Sequence, residues 1–225
     1  MLQDVENIGR IIRNARLFNP RDWETRAMSH DDTLQMVQRL FALLDDRNVT
    51  YLLVGGIALL NYVEGRNTED IDLIMAVGEL KNLPEIKISS QDAYFARGTF
   101  HGLQIDFLLT ENPLFRTVQE TYATRLGFLD QEIPIATVHG LLLLKLYALP
   151  SLYCQGDFAR VSIYENDIAS LLYAYKTDTD KLTAELAQYV SESDLASLRE
   201  ILAEIRQRIR RFREARDESP YTTDE

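Results

Sequence analysis

The sequence predicts an α/β (α+β) fold in which a mixed β-sheet core is followed by a helical C-terminal part. Short apolar runs bounded by glycine or polar residues, which are typical of buried strands, fall between residues 51 and 137. After residue 137 the apolar residues recur at helical spacing instead. We therefore predict four parts: an N-terminal helical extension (1–28), an α/β core (29–136), a helical C-terminal part (137–216) and a disordered tail (217–225).

Two helices are expected before the first strand. The first contains apolar residues at helical spacing from Val5 to Ala15 and ends before Asn19-Pro20. The second runs from about Asp31 to Asp46, with a polar start that suits a helix N-terminus and an apolar stripe along one face.

The first two strands enclose a short helix. Tyr51–Val54 is an apolar run that ends at Gly55-Gly56, a pattern typical of a buried strand. A helix from Ile57 to about Val63 follows, and Asp70–Ala76 is the second strand.

Further strands complete the predicted sheet. Two of them, about Ala93 to Thr99 and Leu103 to Leu109, flank His101-Gly102, which suits a hairpin turn. Residues 124–137 are expected to add edge strands. Four helices should follow: Val138–Leu149, about Glu165–Tyr175, Asp180–Val190 and Asp194–Arg216.

Composition limits the class of protein. With 46% hydrophobic residues the chain can bury a core, and its formal net charge of −11 argues against coating nucleic acid over the whole surface. The single Cys154 excludes an intrachain disulfide and is consistent with a reducing compartment. Without an apolar signal-peptide centre or a membrane-length apolar stretch, the protein is expected to be cytoplasmic, with no membrane partner.

Asp70 and Asp72 are the first candidates for chemistry. Residues two apart on a strand project to the same face, so the two carboxylates point together while Ile71 and Leu73 point into the core. Neighbouring carboxylates repel each other unless a cation lies between them, and Mg²⁺ takes oxygen ligands. A solvated strand face is the alternative interpretation.

Asp106 and the Gly55-Gly56 pair add to this pattern. Asp106 faces the side of its strand opposite Ile105 and Phe107, and burying an unpaired charge is costly, although an exposed strand face would also accommodate it. Gly55 and Gly56 lie between a strand and a helix, where exposed backbone N–H groups suit a phosphate. A tight turn with no ligand is the alternative.

Lys145 lies in a helix that is apolar nearly all round, and its neighbours one turn away include no carboxylate. Its ammonium group therefore either extends to the surface along its flexible stem or needs an anion from elsewhere. A bound triphosphate would supply that anion.

These residues carry a resemblance to a known family. The segments Gly55-Gly56-Ile57-Ala58 and Arg66-Asn67-Thr68-Glu69-Asp70-Ile71-Asp72-Leu73 resemble the G-G-x-A … R-x-T-x-D-I-D-L motif of AbiEii/AbiGii-type (MenT-like) nucleotidyltransferases, members of the DNA-polymerase-β-like superfamily. The interval between the second glycine and the first aspartate matches as well. The resemblance covers roughly residues 31–175, and many such proteins are toxins of toxin–antitoxin or phage-defence systems.

The resemblance implies a site and a reaction. It implies Mg²⁺ or Mn²⁺ on Asp70 and Asp72, with Asp106 as a third ligand and possible proton acceptor. It further implies nucleotide contact by Lys145 and a role for Asp167 in the Asp-Ile step of the next helix. Arg66 and Thr68 match the motif and either contact phosphate or shape the loop before Asp70. The implied substrate is an NTP and the implied acceptor is the 3′ end of tRNA, with a cognate antitoxin protein as partner.

The sequence departs from the wider pattern in two places. Many superfamily members have Gly-Ser where this chain has Gly55-Gly56, so a serine hydroxyl is not available for phosphate. Many relatives carry Lys-Asp just before the Asp-Ile step, where this chain has Ile163-Tyr164.

Other acceptors and another class remain open. The acidic balance fits a cationic small molecule or a protein hydroxyl at least as well as tRNA. A non-catalytic nucleotide-binding or antitoxin-like protein is the third alternative, against which the complete set of carboxylates argues. Arginines crowd the last helix, where they either grip RNA or complement the helix dipole and keep the helix soluble: Arg206, Arg208, Arg210, Arg211, Arg213 and Arg216.

Overall fold

The computed structural model describes residues 30–64, 70–128 and 131–217. The helix predicted at residues 5–15 and the tail beyond Asp217 lie outside the described residues. The described helices are α1 (His30–Asp46), α2 (Gly55–Leu60), α3 (Val77–Leu80), α4 (Pro113–Thr121), α5 (Val138–Cys154), α6 (Phe158–Ala174), α7 (Thr179–Leu186) and α8 (Glu192–Asp217). The described strands are β1 (Tyr51–Val54), β2 (Ile71–Met75), β3 (Lys87–Gln91), β4 (Phe95–Phe100), β5 (Leu103–Leu109), β6 (Ala123–Phe128) and β7 (Gln131–Ala136).

The described strands form one mixed sheet in the order β3-β4-β5-β2-β1-β7-β6. At its centre β2 runs antiparallel to β1 and parallel to β5, and β1 runs parallel to β7. The remaining pairs, β3 with β4, β4 with β5 and β6 with β7, are antiparallel. The predicted mixed α/β core followed by helices is therefore confirmed.

Burial along the central strands follows their sequence patterns. All four residues of β1 are buried, as the apolar run predicts. In β5 the buried residues are Leu103, Ile105, Phe107 and Leu109, and the residues between them, including Asp106, are half-buried. This alternation puts Asp106 on the face of the sheet opposite Ile105 and Phe107, as expected from a period of two residues.

Some elements differ from the prediction. Three elements were not predicted: the short helix α3, the fully exposed strand β3, whose single large apolar residue is Ile88, and α4, which Asn112 caps by accepting hydrogen bonds from the backbone of Leu114 and Phe115. Strand β7 lies between β1 and β6 and is not an edge strand, so only β6 lies at that edge. Helix α5 continues past Leu149 through Pro150 to Cys154.

The chain divides into two compact units, the first ending at Leu141 and the second beginning at Leu142. The first unit contains the sheet. In the second, α8 packs against both α6 and α7. None of the helices in the described ranges combines the length and the apolar character that a bilayer crossing requires.

Candidate active site

Asp70, Asp72 and Asp106 come together at one place on the sheet. Asp72 on β2 lies directly opposite Asp106 on the adjacent parallel strand β5, and Asp70 immediately precedes β2. One carboxylate oxygen from each of the three residues lies within 4.8 Å of the others, and all three residues are half-buried. Because directly opposite residues on neighbouring strands project to the same face, Asp72 and Asp106 share one side of the sheet.

The donor set of this cluster fits a hard divalent cation. Mg²⁺ and Mn²⁺ prefer oxygen ligands, and the oxygens around one Mg²⁺ lie roughly 3–4 Å apart. The three carboxylate oxygens already approach this spacing on neighbouring strands. Asp70, Asp72 and Asp106 are therefore the residues that would hold the metal.

The Gly55-Gly56 turn lies directly against the Asp72 carboxylate. Gly55 has a φ of +65°, which side-chain-bearing residues rarely adopt, and a Cβ atom added there would lie 1.8 Å from Asp72 Oδ2. The backbone N–H of Gly56 donates a long hydrogen bond, 3.4 Å, to the same oxygen. The turn after β1 is therefore fitted to Asp72, with its backbone at the carboxylate cluster.

Arg97 is a member of this cluster that sequence reasoning missed. It lies on β4 directly opposite Asp106 and donates to both of its oxygens, with Nε 2.7 Å from Oδ1 and Nη2 2.6 Å from Oδ2. The hydrogen bond and the charge of Asp106 raise the pKa of the Arg97 guanidinium above its usual range, and the charges of Asp70 and Asp72 add to the effect. The sequence contains a signal for this contact, since a two-residue turn at His101-Gly102 sets a register that pairs residue 97 with residue 106.

Lys145 and Asp167 form a buried ion pair within the second unit. Lys145 Nζ lies 2.7 Å from Asp167 Oδ2, and the two residues are 5% and 2% exposed. The ammonium also lies 4.1 Å from the centre of the Tyr164 ring. As expected, the partner of Lys145 does not come from its own helix, but it is a carboxylate of α6, so a triphosphate is not needed to explain why Lys145 is buried.

The remaining predicted residues of the site are not described by the structure. Arg66 and Thr68 belong to residues 65–69, which lie outside the described ranges. Their predicted roles, phosphate contact or shaping of the loop before Asp70, stay predictions.

Comparison with known proteins places the fold. No protein-family model matches the chain, and no curated protein matches it. Among solved structures, the chain is similar to an antigenic nucleotidyltransferase-like protein from Paracoccidioides brasiliensis, with 20% identity, a TM-score of 0.47, and coverage of 75% of this chain and 92% of that one. It is also similar to ANT(2")-Ia in complex with adenylyl-2"-tobramycin, with 11% identity, a TM-score of 0.46, and coverage of 75% and 97%.

The solution structure of the antibiotic-resistance factor ANT(2'')-Ia matches with a TM-score of 0.50 at 15% identity, covering 78% of this chain and 96% of that one. A likeness at this identity concerns the fold. The observed sheet with its following helices agrees with it. The chain therefore has the nucleotidyltransferase fold, with three aspartates placed together on its sheet.

Proposed function

We propose that this protein is a metal-dependent nucleotidyltransferase that moves an NMP from an NTP to an acceptor. The observation that carries the proposal is the convergence of Asp70, Asp72 and Asp106 beside the Gly55 turn, within a nucleotidyltransferase fold. Carboxylates this close on one face of a sheet repel each other, and Arg97 offsets one of the three negative charges, so a bound divalent cation would stabilise the arrangement further.

The residues of the cluster have different proposed roles. Asp70 and Asp72 would hold Mg²⁺ or Mn²⁺, and Asp106 would complete the ligand set. The backbone N–H groups of Gly55 and Gly56 would donate to phosphate, that of Gly56 in place of its long hydrogen bond to Asp72. Bound divalent cations would supply charge stabilisation to the entering and leaving oxygens of an in-line displacement. Asp106 also accepts the proton of the acceptor hydroxyl as pyrophosphate leaves. The nucleotide contacts that the resemblance implies for Lys145 and Asp167 stay predictions.

The acceptor that we propose is RNA, at the 3′ end of tRNA, and the biological role is that of a toxin held by a cognate antitoxin. The resemblance to AbiEii-type proteins supports this role, and the basic second half of α8 supports an RNA ligand. Four of its arginines are exposed and stand in no described contact: Arg206, Arg208, Arg210 and Arg211. Exposed arginines on one helix are the groups that bind a phosphate backbone.

A cationic small molecule is the second candidate acceptor, and a protein hydroxyl is a variant of it. The formal net charge of −11 favours a positively charged substrate over a polyanion. The likeness to an antibiotic-resistance factor concerns the fold and does not choose between acceptors.

Label transfer tests the reaction and the acceptor together. The purified protein is incubated with each α-labelled NTP and Mg²⁺, and with total tRNA, a mixture of aminoglycosides or neither. We expect label on tRNA, while label on an aminoglycoside or on protein would select the second candidate. We expect Asp70→Ala to retain the fold and lose transfer by more than about 100-fold, as loss of a metal ligand or transition-state contact does.

Asp46→Ala is the matched control, because it removes an exposed carboxylate of the same unit at the end of α1. It should transfer label at the wild-type rate. Full activity in Asp70→Ala would remove the proposed function.

A further inference from the structure

Arg97 is a fixed positive charge within the carboxylate cluster. Its guanidinium does not deprotonate in proteins, so it carries a full charge at every working pH. We propose that Arg97 is an internal counter-ion that competes with the divalent cation for Asp106 and thereby limits the metal affinity of the site. This inference rests on the proposed function, because it assigns a residue that regulates the same metal site.

The geometry places Arg97 and Asp72 on opposite sides of Asp106. Across the sheet Arg97, Asp106 and Asp72 lie opposite one another on the consecutive strands β4, β5 and β2. Arg97 contacts both oxygens of Asp106 from the β4 side, at 2.7 and 2.6 Å. A cation held by Asp70 and Asp72 would attract the same carboxylate from the β2 side. The guanidinium occupies one acceptor site on each oxygen and places a positive charge beside the carboxylate, so a divalent cation at Asp106 would meet a competing cation there.

The exposure of the Arg97 side chain allows it to withdraw from Asp106. The Arg97 side chain is 47% exposed, whereas that of Asp106 is 20% exposed. A half-exposed guanidinium loses little when it exchanges a carboxylate for water, and exposed ion pairs are weak. A buried arginine would be a permanent structural partner, but Arg97 can leave while Asp106 stays.

Calorimetric titration of Mn²⁺ alone into the full chain tests the inference without any activity readout. We expect Arg97→Gln to bind Mn²⁺ roughly threefold to tenfold more tightly than the wild type, because it removes a weak competing ion pair and a nearby like charge. Arg97→Lys keeps the charge but loses the two-pronged contact, so its affinity should fall between the two.

Arg125→Gln is the matched control, since Arg125 lies on β6 at the other edge of the sheet and is 72% exposed. It changes the net charge by the same amount and should leave the affinity at the wild-type value. In an Asp106→Asn background Arg97→Gln removes only the nearby like charge, so its effect should shrink to less than about twofold.

Each outcome decides the matter. An affinity of Arg97→Gln equal to that of Arg125→Gln, or weaker than wild type, overturns the inference; the weaker value would mean that Arg97 orients Asp106 for the metal. If Arg97→Gln does not fold, Arg97→Lys carries the same test, and unchanged or weaker binding overturns the inference. If the wild type binds no Mn²⁺, or if Asp70→Ala binds it as tightly as the wild type, the metal site of the proposed function is overturned as well. This outcome distinguishes the two failures.

Discussion

At Gly55 the main chain passes so close to the Asp72 carboxylate that no side chain fits between them. A Cβ atom there would lie 1.8 Å from Oδ2 and 2.3 Å from Cγ of Asp72, and both atoms belong to a side chain that rises from the central strand β2. The φ of +65° adds a backbone cost of its own for any other residue. Substitution at Gly55 must therefore move Asp72 or the turn.

We predict that Gly55→Ala loses both Mn²⁺ binding and nucleotide transfer. Displacing a metal ligand by about 1 Å reduces the rate by roughly 100-fold, and the positive φ costs about 1–2 kcal/mol of unfolding free energy. Label transfer and Mn²⁺ calorimetry measure the first effect, and urea denaturation measures the second.

Gly156→Ala is the control for backbone strain alone. Gly156 has nearly the same φ, +68°, but a Cβ atom there meets nothing within 4 Å. The control should lose similar stability and keep both Mn²⁺ binding and transfer. Equal loss of Mn²⁺ binding in the two variants would show that strain, and not contact with Asp72, is responsible.

At the scale of the elements, the central strands could be predicted from sequence because their buried residues form a regular pattern. The uninterrupted apolar run of β1 predicts a buried strand. The alternation in β5 predicts which of its residues face the core. Strand β3 could not be predicted in this way, because an edge strand with no buried residue has no apolar pattern. Helix α4 is short, so its clearest sequence signal lies at its start, where Asn112 and Pro113 are a typical cap and first residue.

The residues of the candidate site also differ in how far sequence patterns predict their contacts. Asp70, Asp72 and Asp106 could be placed together because strand periodicity and the superfamily pattern agree. The contact of Arg97 with Asp106 follows from the hairpin register, which the position of the turn already implies. The pairing of Lys145 with Asp167 depends on how α5 and α6 pack, and nothing in the periodicity of either helix fixes that.

We predict that Lys145→Met destabilises the protein by roughly 3–5 kcal/mol, because it leaves the Asp167 carboxylate buried without its cation. The loss should appear as a lower midpoint in urea denaturation. The double variant Lys145→Met with Asp167→Leu removes both charges and should recover most of the stability, since an apolar pair of similar volume replaces a buried ion pair at little cost.

The double variant also separates stability from chemistry. If it folds and transfers label at the wild-type rate, the pair is structural and the predicted nucleotide contact of Lys145 is wrong. If it folds and transfers label more than about 100-fold more slowly, the pair takes part in the reaction. A double variant no more stable than Lys145→Met would contradict the ion-pair argument itself.

At the scale of the whole molecule, charge is distributed unevenly along the chain. The formal net charge is −11, yet residues 205–216 contain six arginines and one glutamate. One of these arginines is committed internally, because Arg213 donates to the backbone oxygen of Tyr173 at 2.9 Å and lies over its ring. Exposed arginines remain for an external ligand, and the rest of the chain supplies acidic surface that would oppose a polyanion. Binding of RNA would therefore have to be local and strongly dependent on salt.

We predict that reversing the charge of Arg206, Arg210 and Arg211 to Glu weakens tRNA binding and flattens its salt dependence. Each phosphate contact contributes about 0.7–0.9 to the slope of log affinity against log salt concentration, so losing three should reduce the slope by about 2–3.

The control reverses three exposed lysines outside this helix, Lys81, Lys87 and Lys176, and matches the change in net charge. The control should leave the slope unchanged, because phosphate contacts are local, while a loss of affinity shared equally by both triple variants would mean that only net charge matters. Unchanged tRNA binding in the arginine variant would remove α8 as the RNA surface and favour a small cationic acceptor, for which an acidic protein is the better electrostatic match.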